Sequence, residues 1–217
     1  MPQVAFEEVD ISTGGIPMRK AFEGISHIVL RKHRYRVVLA TRLGSDDLPL
    51  NGDCSNPQES NRLIRYALGL RGEERLDILI HEMLHACFWD VKEEGVAEAS
   101  TDIAKTMYRI GYRNGSDLAM LPDKDWIDTI ILRKKRYSLQ RVSGMKPGCI
   151  AKSSLPHERN KTIQIRTSVK GEREIEALLK GMLIACFPDM DENEAIAETA
   201  KSIAKSLWRM GYRRTLS

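Results

Sequence analysis

Four blocks of this 217-residue chain occur twice, in the same order, about a hundred residues apart. Ile28-Val29-Leu30-Arg31-Lys32-His33-Arg34-Tyr35 returns as Ile130-Ile131-Leu132-Arg133-Lys134-Lys135-Arg136-Tyr137. Pro57 to Ile64 returns as Pro156 to Ile163, and Met83-Leu84-His85-Ala86-Cys87-Phe88 as Met182-Leu183-Ile184-Ala185-Cys186-Phe187. Ile103-Ala104-Lys105 and Gly111-Tyr112-Arg113 return as Ile203-Ala204-Lys205 and Gly211-Tyr212-Arg213. Shared order and nearly constant spacing mark an internal duplication, so the chain must fold as two copies of one unit. The length allows each copy a core of its own.

Within each copy the periodicity changes from strand-like to helical. Ile28 to Leu30, a basic turn, and Tyr35 to Thr41 predict a hairpin. A loop with Asn51-Gly52 and Asn56-Pro57 leads to a third strand around Leu63 to Leu70. Arg71-Gly72 opens a helix that stops near Trp89. Asp90-x-x-Glu93 then has the form of a capping box for a second helix, as does Asp189-x-x-Glu192 in the other copy. That second helix carries Val96, Ser100, Ile103, Met107 and Ile110 on one face and ends at Gly111, a favoured C-cap residue. The expected class is therefore α+β, each unit a small antiparallel sheet packed on a helical hairpin. The expected boundaries are an extension at 1–24, a first unit at 25–113, a linker at 114–125 and a second unit at 126–217.

The first helix of the first unit carries polar groups that an apolar helix does not hold without a reason. Leu76, Ile80, Met83 and Cys87 recur at helical spacing, widened by Leu79, Leu84 and Phe88. His81 and His85 interrupt this face four residues apart, so their imidazoles leave on one side, one turn apart, and can reach one Zn²⁺ ion. Glu82 lies beside them, where a carboxylate can take a proton from an activated water. A catalytic zinc needs a third protein ligand. Glu94, Glu98 and Asp102 stack on one side of the next helix. A hairpin turning at Trp89-Asp90 sets Glu98 opposite the histidines, while Glu94 fits if the helices diverge. Asp77, one turn before His81, is placed to accept its ring proton.

The second unit has Lys180, Gly181 and Ile184 where the first has His81, Glu82 and His85, so only the first is expected to hold metal. Lys180 is expected to supply a charge for Glu198 or Glu194. Residues kept in both units, Cys87 and Cys186 among them, are expected to be structural.

The net charge of +4 permits an acidic partner without demanding one. The basic turns Arg31 to Arg34 and Arg133 to Arg136, each followed by a tyrosine, offer possible contacts to nucleic acid phosphates. The second reading of the chain is accordingly a nucleic-acid or partner-binding module with a structural zinc. No apolar run is long enough to span a bilayer, and the N-terminus has no basic-then-apolar signal region, so a cytoplasmic protein with reduced thiols is expected. The oligomeric state is left open.

Leu76 to Arg113, with Leu-Asp-x-Leu-Ile-His-Glu-Met-Leu-His-Ala, then Glu-Glu-x-Val and an Ile-Ala-x-x-x-x-Arg-x-Gly-Tyr ending, resembles the small zincin-like metallopeptidase domains of phage and bacteria. These are distant relatives of SprT-like and ImmA/IrrE-like proteins. Gly52-Asp53-Cys54 and the strand before the helix extend the likeness over most of the first unit. The resemblance implies a peptidase with zinc on His81 and His85, Glu82 as general base, and a downstream acid that maps to Glu94. A doubled chain with a degenerate second unit departs from that pattern.

Overall fold

The computed structural model describes residues 26–41, 43–44, 50–115, 126–190 and 193–214. The expected N-terminal extension and most of the expected linker lie outside the described residues, as does Glu192 of the second capping box. The first unit runs β1 (His27–Leu30), β2 (His33–Ala40), β3 (Gly52–Cys54), β4 (Leu63–Ala67), α1 (Gly72–Cys87), α2 (Glu93–Ile110) and β5 (Tyr112–Arg113). The second repeats it as β6 (Thr129–Leu132), β7 (Lys135–Val142), β8 (Ala151–Ser153), β9 (Thr162–Arg166), α3 (Glu172–Cys186), α4 (Asn193–Arg209) and β10 (Arg213–Arg214). The chain is α+β, with two sheet-plus-helix units.

Each four-stranded sheet has the order β1-β2-β4-β3 or its counterpart β6-β7-β9-β8. The outer pairs are antiparallel, but β2 and β4 run parallel, as do β7 and β9, so the sheets are mixed where an antiparallel one was expected. The long connection after β2 returns the chain to the start of that strand before β4 begins. β3 was read as loop because three residues containing a glycine give no alternation. It is fixed by β4, where Arg65 donates a bidentate pair of hydrogen bonds to Asp53 across the strands, one of them at 2.8 Å.

Ile28, Leu30, Tyr35, Ile64 and Tyr66 turn inward from the sheet onto Leu76, Leu79, Ile80 and Met83 of α1. α1 starts at Gly72, whose φ of 53° and whose approach to the Tyr108 hydroxyl leave no room for a side chain. α2 ends at Gly111 in the left-handed conformation, as the sequence predicted. Its start is different. Lys92 is the N-cap and no side chain caps it, so the expected capping box does not form.

The two units share one continuous core. Their contacts are reciprocal, as in an isologous dimer. α4 packs on β1 and α2 on β6, while β5 pairs antiparallel with β10 and the Phe88 and Phe187 rings meet edge to face at 5.5 Å. The basic turns complete this interface. Arg31-Lys32 and Arg133-Lys134 all have positive φ, the geometry of a two-residue type I′ turn more often made by Asn-Gly. Such strain persists where surroundings hold it. Here the Arg31 guanidinium donates to Cys87 O at 2.8 Å and lies 3.8 Å from Glu198, and Arg133 donates to Cys186 O at 2.8 Å and to Glu98 at 3.1 Å. The Arg133 N–H also donates to Asp102 at 2.6 Å. Glu198, one of the two expected partners of Lys180, thus lies against Arg31 of the first unit.

All four cysteines are free, and burial pushes the Cys87 thiol up to about 12. Among the described residues no helix is long and apolar enough to cross a membrane.

Candidate metal centre

α1 presents His81 and His85 one turn apart on the flank it turns toward α2, and the structure brings their Nε2 atoms within 3.1 Å of each other. The rings stand edge to face with centroids 4.6 Å apart. The carboxylate that joins them is Glu93, the first residue of α2. Its Oε1 lies 3.3 Å from His81 Nε2 and its Oε2 2.8 Å from His85 Nε2. Among the described residues, His81, His85 and Glu93 are the group whose donor atoms converge for a metal ion.

The carboxylate that meets the two rings is thus neither Glu94 nor Glu98, the expected third ligands. Successive helical residues are turned by about 100°, so Glu93, Ala97 and Ser100 form one flank of α2 and Glu94, Glu98 and Asp102 the next. The first flank faces α1. Ser100 Oγ donates to Asp77 Oδ1 at 2.7 Å and Thr101 Oγ1 to Asp77 Oδ2 at 2.8 Å. The second flank faces the other unit, where Arg133 occupies Glu98 and Asp102. Glu94 is exposed.

Asp77 does not touch His81 directly. Ser100 stands between them, its hydroxyl 3.5 Å from His81 Nδ1. Burial and the neighbouring His85 lower the pKa of His81, against the opposing pull of Glu93 and Asp77. Burial and His85 thus favour the neutral imidazole, the form that donates a lone pair to a metal.

Glu82 is buried on the next face of α1, 5 % exposed, under the edge strand β3. Burial, with Asp53 and Glu93 nearby, pushes its carboxyl up to about 8. Gly52 makes this placement possible, because a Cβ there would lie 2.6 Å from Glu82 Oε1 and from Ile78 Cγ2. Gly52→Ala is expected to displace the carboxyl and slow any reaction that uses it by at least ~10-fold, since misplacement of about an ångström has such effects. Zinc content should not change, because no ligand touches the new methyl. Rate and bound zinc measured on one preparation check this.

The second unit inverts the arrangement. Ala151 stands where Gly52 stands in the first, and Gly181 replaces Glu82. Ile163 fills the space, its Cγ2 only 2.5 Å from where a Gly181 Cβ would be. Asn193 opens α4 where Glu93 opens α2. Ala200 and Lys201 replace Ser100 and Thr101. His81, Glu82, His85 and Ser100 thus have no like residue in the second unit.

No protein-family model, curated protein or solved structure matches the chain.

Proposed function

We propose that the chain is a zinc-dependent metallopeptidase in which His81, His85 and Glu93 hold the metal and Glu82 is the general base. The observation that carries this reading is the convergence of three electron-pair donors on one point. Tetrahedral zinc with ligands at about 2.0–2.1 Å sets neighbouring donors roughly 3.4 Å apart. Here the two Nε2 atoms are 3.1 Å apart, and Glu93 meets them with different oxygens, Oε1 3.3 Å from His81 and Oε2 2.8 Å from His85. Lone pairs held so close repel unless a proton or a cation lies between them. Glu93 is 66 % exposed, which leaves one side of the centre open to solvent and substrate.

Zinc held there supplies a Lewis acid that polarises a carbonyl and makes water acidic near neutral pH. Glu82, one residue from His81 and facing the same end of α1, accepts a proton from the attacking water as its oxygen bonds to the carbonyl carbon. It then passes that proton to the leaving nitrogen as the C–N bond breaks. Asp77, through Ser100, holds the His81 ring in orientation. The Arg65 pair fixes Asp53 near Glu82, and the negative charge of Asp53 strengthens Glu82 as a proton acceptor. β3 ends the sheet beside Glu82, so an extended peptide can add to its edge through main-chain hydrogen bonds.

The test is cleavage of an unfolded protein by zinc-loaded enzyme, with and without a chelator. Cleavage stopped by the chelator and restored by zinc is the expected result. A chain that binds one zinc and cleaves no unfolded protein would overturn the reading and leave a structural metal.

A further inference from the structure

We infer that the outer face of the first sheet binds the phosphodiester backbone of single-stranded nucleic acid. That face turns away from α1 and the metal centre. It carries a groove of 680 Å³ lined by His27, Arg34, Arg36, Ser60, Asn61 and Arg62 beside Leu63. Arg34 and Arg36 are two residues apart on β2 and so share a face. His27 lies directly across from Arg36 in the β1–β2 register, and the Arg36 N–H donates to Arg62 O at 2.9 Å, which brings the third arginine alongside. Arg209 of α4 donates to His27 O at 3.2 Å and adds a fourth guanidinium at the rim. Among the described residues no carboxylate pairs with Arg34, Arg36 or Arg62.

Two of these positions stay basic in the second unit, Arg136 for Arg34 and Lys161 for Arg62, and Arg159 stands for Ser60. The second unit builds the same strand pair with Thr129 opposite Ser138, where the first has His27 opposite Arg36. Arginines gathered on one exposed face, with no carboxylate paired to them among the described residues, point to a ligand carrying the opposite charge. Guanidinium groups joined by hydroxyl and amide donors suit phosphates. A groove of this volume takes consecutive phosphates of one strand and not the girth of a duplex. The basic turns, by contrast, commit Arg31 and Arg133 to the interface between units.

The experiment is fluorescence anisotropy of a labelled single-stranded oligonucleotide about 16 nucleotides long, with the full chain loaded with zinc. Arg34→Ser/Arg36→Ser is compared with the wild type, serine being the residue that the second unit carries in place of Arg36. Binding at about 50 mM salt is expected, roughly tenfold weaker in the double variant, with a salt slope shallower by about 1.4 for two lost phosphate contacts. Zinc content stays the same, so this result is independent of the metal centre. The inference is overturned if the wild type does not bind at low salt or if the double variant binds as well as the wild type. It is equally overturned if a duplex of the same length binds more tightly, or if polyglutamate displaces the oligonucleotide as readily as unlabelled strand does.

Discussion

Glu82→Gln is expected to lower peptide cleavage by about 10²–10⁴-fold, the usual contribution of a positioned general base, while zinc stays bound. Glutamine keeps the shape that fits under Gly52 but accepts no proton. The fold should not suffer. The folded chain holds the Glu82 proton up to about pH 8, whereas an unfolded chain releases it in the ordinary glutamate range. With no cation beside it, the native state therefore loses stability as pH rises through that window. Glutamine removes the penalty, so before zinc is added the variant's Tm at neutral pH should equal or exceed that of the wild type. The check is kcat, bound zinc and Tm on one preparation. A variant that retains most of the wild-type rate would remove Glu82 from the chemistry.

Glu93→Gln should lower zinc affinity by more than ~100-fold, beyond what loss of an outer hydrogen-bond partner costs. It removes the anionic member of the proposed ligand set, the one acid among the described residues that both Nε2 atoms approach within 3.3 Å. Glu94→Gln, one residue on and turned to solvent, should leave affinity unchanged. Competition with a chromogenic chelator measures both. Equal losses in the two variants would show a general charge effect at the N-terminus of α2 and no specific ligand.

The sequence was most informative where residues repeat. The two units, their helical hairpins and the Gly111 cap follow from repeated blocks and from apolar spacing. Strand direction does not follow, because β2 and β4 alternate in the same way whether parallel or antiparallel. β3 has too few residues for a pattern and exists through Asp53 and Arg65. At the site, His81, His85 and Glu82 stand out because they interrupt an apolar helix. Glu93 was singled out too, but as a capping-box residue, whereas its carboxylate turns to the two imidazoles.

The duplication carried a further signal. Glu94 and Glu98 return as Glu194 and Glu198. By the rule that shared residues serve the fold, Glu98 belongs to the scaffold, and its bond to Arg133 bears this out. The destination of Arg31 and Arg133 was not legible, since a basic hairpin tip reads alike whether it meets water or a partner helix. Only the packing of one unit on the other turns them inward.

The central claim is tested most directly by counting zinc in chelator-stripped and reloaded protein, for the wild type beside His85→Ala. One zinc per wild-type chain and none in the variant is the result expected from a centre built on the first unit alone. A wild type that takes up no zinc, or a His85→Ala chain that retains it, would contradict the account.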